Sequence, residues 1–590
     1  MKESKYYHSD TIISSSKYGN SYMYEQDQQQ QKKRIRKLQW FFIFILLIGY
    51  VIAALAQTGL KDIELKATSE FEPTIKDAVK LNDLPEINDS VKKITGINYN
   101  ISSMPLVSKY EVIAIDAAKM QNEPLTKLYR SLLKVGMGNY TTPYGEFWLN
   151  SLRTKDIVYG AHLKHFSSSA HLKDVGYSGF SDNEGELYGK KFYKKHTLIG
   201  EFNYKRNMVH FYGYDTVENK LTRDFTRQRY QLIEPVVTVQ SHYTDSNKIN
   251  HSIKLGYHNL KDFYKVSENN IKLNTIFNTY VNKERLFVLF DADYYNHKIP
   301  NDTFNDVIIK LNPYFETHGK KWIADIGLAA TLDIFSEQTP RFYFHPRFNA
   351  QYDVYESIII PYVGIVGGLN KNSLRSLSAE NPFISSTINY KNSNTKINIF
   401  GGLKGNLSTN TSYDTKVSYS AVDSMHFFVI DYTINGLLDN QYKVIYDNTN
   451  LFTVSGQIKH QYKEKINFIA KGNYYLYKTK NLTRPYHKPD FDLTFSTVYN
   501  LKNKIIIRGD IFVIGNQFAL TKVTDNLNDE LQPKLMKGIV DANLGAEYRY
   551  SKMLSFFVNF NNIANTRYYR WEKYPSQRFN LMAGLTFIPF

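Results

Sequence analysis

The stretch "IVDANLGAEYRYSKMLSFFVNFNN", Ile539–Asn562, decides the fold. Val540, Ala542, Leu544, Ala546, Tyr548 and Tyr550 form one row, and Asp541, Asn543, Glu547 and Arg549 form the other. After a polar break the rule resumes, with Leu554, Phe556, Val558 and Phe560 opposed to Ser555, Asn559 and Asn561. Successive side chains of a strand point to opposite faces, so period two over this length predicts antiparallel strands with one apolar and one polar side.

The same alternation recurs on both sides of this stretch. In 322–332, Trp322, Ala324, Ile326, Leu328, Ala330 and Leu332 face away from Asp325, Gly327 and Thr331, and similar rows occupy 198–204, 452–458, 466–476 and 505–513. A soluble sandwich and a membrane barrel both pair an apolar face with a polar one. Full charges deep in the strands (Lys471, Arg508, Asp510, Glu547) and aromatics at the turns favour the barrel, whose lumen is polar and whose interfaces carry aromatic girdles. About twenty alternating segments between 125 and 590 predict an all-β fold: a large antiparallel transmembrane β-barrel of roughly 16–22 strands, after a short irregular N-terminal arm. Such a barrel encloses more space than its own side chains fill.

The chain ends "NLMAGLTFIPF". Phe579, Leu581, Ala583, Leu585 and Phe587 are in step, while Phe590 is not. Pro589 has no ladder donor, so pairing is expected to stop near Phe587 and the last residues to re-aim, with Phe590 reaching the lipid interface. Leu585, Phe587 and Phe590 are the candidate insertion signal for the barrel-assembly machinery.

Hydrophobic residues make up 42% and aromatics 15%, yet mean hydropathy is negative, so apolar side chains are diluted at short range as a barrel requires. There is no cysteine, which excludes disulfides and thiolate metal sites. The net charge of +17 would suit nucleic acid only with a basic stripe or motif, and none is found. "KKRIRKLQWFFIFILLIGYVIAALAQ" has a basic cluster, an apolar run from Trp40, and small residues Ala54 and Ala56 placed for cleavage before Gln57. An uncleaved anchor is the alternative. The polar start before it reads as an upstream start codon or a cytoplasmic tail. The expected organisation is 1–56 signal peptide with a long polar start, 57–124 arm and 125–590 barrel. The arm is charged, broken by Pro73 and Pro85 and without sustained period, and Phe71, Pro73, Asp77, Asp83 and Pro85 are its candidate residues for a partner or for insertion into the lumen.

The final segment resembles the end of a TonB-dependent receptor barrel. The matching residues are Phe557, Val558, Phe560, Asn562, Ile563, Asn565 and Tyr568, the turn residues Trp571, Tyr574 and Pro575, and the closing Gly584, Leu585 and Phe587. The resemblance implies that barrel over roughly 400 residues. It also exposes departures: the 67 residues of 58–124 are too few for the family's complete plug, and no coupling box is evident. The resemblance therefore implies a plug-less variety.

No constellation for catalysis stands out. His162, His165 and His171 in "AHLKHFSSSAH" resemble a ligand cluster, but residues three apart on a strand point oppositely, so His162 and His165 cannot chelate one ion without a bulge. "SDNEGE" (Ser181–Glu186) and "TDNLNDE" (Thr524–Glu530) lack calcium-loop spacing and read as solvated loops. "GYSGF" is not a nucleophile elbow, and "GELYGKK" misses the phosphate loop. The expectation is no enzyme activity, no cofactor and no metal. Three functions follow in order: a scaffold or subunit of an envelope assembly (barrel insertion, secretion or surface export), a passive or gated solute channel, and a TonB-dependent nutrient receptor. The expected setting is the outer membrane of a Gram-negative cell, with its lipid and other envelope proteins as partners and no nucleic acid.

Overall fold

A computed structural model describes residues 129–590, apart from 218, 301, 337–338, 434–438, 464, 526–527 and 590. The expectations on Ala54, Ala56, Gln57, Phe71, Pro73, Asp77, Asp83, Pro85 and Phe590 lie outside the described residues.

The described chain is one closed antiparallel barrel of 22 strands. Its first half runs β1 (Ser131–Gly138), β2 (Thr142–Asn150), β3 (Ile157–Ser168), β4 (Phe180–Phe192), β5 (His196–His210), β6 (Arg227–Ser241), β7 (Asn250–Lys261), β8 (Ser267–Val281), β9 (Glu284–Ile299), β10 (Asp302–His318) and β11 (Trp322–Phe335). It continues with β12 (Arg341–Tyr352), β13 (Ile360–Asn370), β14 (Ser393–Ser408), β15 (Thr411–Ile430), β16 (Tyr442–Tyr462), β17 (Ile466–Thr479), β18 (Phe491–Leu501) and β19 (Ile505–Ile514). Two short hairpins, β20 (Gln517–Asp525) with β21 (Asn528–Met536) and β24 (Tyr569–Trp571) with β25 (Tyr574–Pro575), stand outside the ring. The wall is completed by β22 (Ile539–Arg549), β23 (Leu554–Asn561) and β26 (Asn580–Phe587), and β26 pairs with β1 to close it.

The alternating rows fix which face meets lipid. On β11, Trp322, Ile326 and Leu328 are 39–54% exposed on the outside, while Thr331 and Asp333 are buried on the inside. On β22 and β23, Val540, Leu544, Tyr548 and Phe556 point outward in the same way. Residues that would be costly in water are thus placed where hydrocarbon is the solvent, and every wall strand pairs on both sides, leaving no unpaired edge.

The closing seam uses small residues. Gly136 of β1 lies opposite Gly584 of β26, which in turn lies opposite Phe557 of β23. A Cβ at either glycine would strike the Phe557 ring, and one at Gly584 would also strike the Val135 carbonyl, so the ring lies flat across both. The Lys134 ammonium sits 4.5 Å from its centroid. β26 ends at Phe587, after which Ile588 N–H donates to the Met553 carbonyl and the Pro589 carbonyl accepts from Ser131 Oγ (3.0 Å).

Two readings are corrected. Thr524–Glu530 is not a loop but the end of the hairpin, with Thr524 and Asp525 in β20 and Asn528, Asp529 and Glu530 in β21. Ser181–Glu186 is not a solvated loop but part of β4, where Asp182 accepts from Asn207 and Glu184 faces Lys164 and Lys205 on the polar row. A run of acidic residues carries no turn signal by itself, and a lumen wall tolerates it as well as a loop does.

Candidate functional site

The ends of the barrel differ. Ten connections at the end holding Ser131 and Phe587 are turns of two to eight residues, while the other end carries loops as long as 22 and 24 residues, 371–392 and 515–538. Short turns mark the inner side of such barrels and long loops the outer side.

The 371–392 loop crosses the outer mouth. It leaves β13, yet its partners stand on β6, β7, β8, β10 and β16 and on the 562–579 loop, positions spread around the ring and reachable only across the lumen. It starts with a short helix, α1 (Leu374–Glu380), whose N-cap Ser373 forms a reciprocal capping box with Ser376. Charged contacts hold this half to the wall. Leu374 N–H donates to Glu268 Oε2 (2.6 Å), Arg375 grips Glu234 through both terminal nitrogens (2.7 and 2.9 Å), and Lys371 pairs with Asp306. Glu268 is fully buried, and His258 Nε2 stands 3.0 Å from its other oxygen. A buried carboxylate is tolerable only with such partners, so the loop backbone completes a site the wall leaves unfinished.

The second half of the loop is apolar. Phe383, Ile384, Ile388 and Tyr390 enter one buried cluster with Phe211, Phe428, Ile430, Tyr442, Trp571 and Tyr574. Phe383 stacks on Tyr574 at 3.7 Å, and Trp571 meets Phe428 and Tyr442 edge-on at 5.3 and 5.5 Å. Ile384 is completely buried, and burying a side chain of this size stabilises by about 1.5–3 kcal/mol. Backbone bonds tie the same parts together. Ser385 N–H donates to the Tyr442 carbonyl, Tyr442 N–H to the Phe383 carbonyl, and Asn440 Nδ2 to the Phe211 carbonyl (2.7 Å). The outer loops therefore form one packed lid with a core of its own.

Two titratable groups belong to the lid. Burial pushes the Glu380 carboxyl up, but the hydrogen bond with His426 (2.7 Å) and the Lys488 ammonium (2.6 Å) outweigh it and hold the group at about 2. His487 is buried beside Trp571, with Nδ1 2.9 Å from the Phe428 carbonyl, and burial pushes its pKa down to about 4.

Among these outer loops lies a recess of about 1260 Å³ between the hairpin β20–β21 and the loops 169–179, 211–226, 431–441 and 562–579. It presents Tyr214, Tyr568 and Tyr569 with Arg567, Lys534 and Lys573. Acidic partners are interleaved: Lys534 pairs with Glu572 (2.6 Å) and Arg567 with Asp174 (3.5 Å). Aromatic faces and paired charges suit a small polar ligand of a few hundred daltons.

The sequence-derived candidates fall elsewhere. Leu585 and Phe587 lie on the lipid-facing row of β26, far from the lid in the barrel's long direction. His162 turns inward to Glu146 (3.1 Å) and Trp148, while His165 points outward to Asn183, so the two stand on opposite faces as expected. Among the described residues no group of three or more metal-ligating side chains converges. Sequence reading missed the lid residues; the signal available was an apolar spacing, Phe383, Ile384 and Ile388, inside an otherwise polar connection.

No family model and no curated protein matches the chain. Solved structures do. The pyoverdine outer membrane receptor FpvA of Pseudomonas aeruginosa PAO1 aligns over 79% of this chain and 79% of its own, at 12% identity and a TM-score of 0.60. The FrpB iron transporter of Neisseria meningitidis aligns over 78% and 82%, at 8% identity and a TM-score of 0.61. The ferric enterobactin receptor PfeA of P. aeruginosa aligns over 78% and 79%, at 12% identity and 0.58. At these identities the likeness establishes a shared barrel fold.

Proposed function

We propose that the chain is a receptor-type barrel of a Gram-negative outer membrane, exported by its N-terminal signal, which takes a solute inward through a mouth closed by its own loops. The observation that carries this reading is the lid: an apolar core spanning the lumen, latched to the wall by charged contacts, with an aromatic and charged recess among its loops. A constitutively open channel has no use for such a core. The likeness in fold to a pyoverdine receptor, an iron transporter and a ferric enterobactin receptor supports uptake of a solute. In this reading residues 57–124 form an arm rather than a complete plug, and the barrel performs no enzymatic chemistry.

A second reading, a scaffold within an envelope assembly, is favoured by the shortness of 58–124, in which no convincing coupling box is found. Deleting the gene from its host separates the two. Uptake predicts the loss of transport of one chelated nutrient, restored by the full chain but at least about tenfold less by R567E/K573E, which reverses two charges of the recess. A full nutrient complement together with co-purification of a fixed set of envelope proteins would replace uptake with the scaffold.

A further inference from the structure

The two rims of the barrel are charged differently. The ten short turns contain 41 residues with thirteen Lys or Arg against five Asp or Glu, a net of +8, whereas the outer loops hold seventeen against fourteen. All thirteen cations are exposed, and only Lys248 finds an ion-pair partner among the described residues. Like charges gathered on one rim repel one another, so the rim favours an anionic neighbour.

Geometry says what supplies it. Eight of the ten turns carry at least one cation, and the two that do not, 353–359 and 409–410, are neighbours, so the charge runs around all of the rim but one arc. The cations are also interleaved with aromatics at the strand ends. Lys191, Lys194 and Lys195 surround exposed Tyr193, with the Lys191 ammonium 5.2 Å from its ring centroid. The Lys463 and Lys504 ammonium groups sit 5.2 and 5.5 Å from the rings of Tyr462 and Tyr548 in the same way. Lys320 and Lys321 directly precede Trp322, which is on the lipid-facing row. An amphipathic ring settles at headgroup depth, and a long cationic stem beside it places its ammonium at the phosphates. An acidic protein would meet a patch on one side; an annulus of lipid meets the whole ring.

We infer that the short-turn rim is an annular binding surface for anionic phospholipid headgroups of the leaflet it faces. The inference rests on the barrel and its orientation and is independent of the uptake reading. The full chain is reconstituted into vesicles of phosphatidylcholine with a minor fraction of phosphatidylglycerol, with bromine on the acyl chains of one lipid or the other. The difference between wild type and W322F isolates the quenching of Trp322. Quenching per brominated lipid is expected to be about fivefold greater for phosphatidylglycerol. The preference should collapse in K320Q/K321Q and at 1 M salt, where the screening length falls to about 3 Å. Equal quenching by the two lipids overturns the proposal, as does a preference that survives both K320Q/K321Q and salt. So does an unselective rim whose lysines prove necessary for retaining an acidic periplasmic protein.

Discussion

His487 shows how one buried side chain ties the lid to pH. Its Nε2 faces Glu572 N–H (3.4 Å) and the Tyr442 hydroxyl (3.5 Å), so the neutral ring fits with Nδ1–H donating to the Phe428 carbonyl. The charges around it are the neighbouring Lys488 ammonium, held by Glu380, and the Glu572 carboxylate, held by Lys534. With the pKa lowered from 6.5 to about 4, the opened lid binds more protons than the closed one throughout that window. Closure is therefore fully favoured above pH 6.5 and weakens as pH falls toward 4, by about 2 kcal/mol at pH 5. Emission of Trp571, whose ring lies 5.1 Å from the imidazole, should shift to the red between pH 7 and pH 5 in wild type and stay fixed in H487Q. Glu380 acts in a lower window: its contribution is complete above about 4.5 and is lost as pH falls through about 2.

At the scale of elements, the wall strands were legible because half-buried strands force period two, and the lipid row of 322–332 or 540–550 needs nothing beyond its own sequence. The count of about twenty was blurred by the hairpin β20–β21, whose nine-residue strands are as long as wall strands but stand outside the ring. The 371–392 loop was not legible, since Glu234, Glu268 and Asp306, which hold it, come from strands 65 to 141 residues away. Those contacts make the loop a latch with a testable weak point. R375E sets a carboxylate against Glu234 and should speed protease cleavage within 371–392 on the order of tenfold while leaving the barrel's heat-resistant migration on gels unchanged. Unchanged cleavage would mean that the apolar half of the loop alone holds it.

At the scale of the whole molecule, a 22-stranded wall sets a lumen wide enough to conduct, and in the proposed function the lid closes it. The fold was readable from composition and alternation, whereas the state of the mouth depends on aromatic residues gathered from Phe211 to Tyr574 and could not be read along the chain. The receptor-type reading and the lid meet in one quantity, the resting conductance. Planar-bilayer recording of the purified full chain beside a variant lacking residues 374–388 measures it. The account predicts a closed wild type and steady openings in the variant. A wild type that conducts steadily, at a level the deletion leaves unchanged, would contradict it.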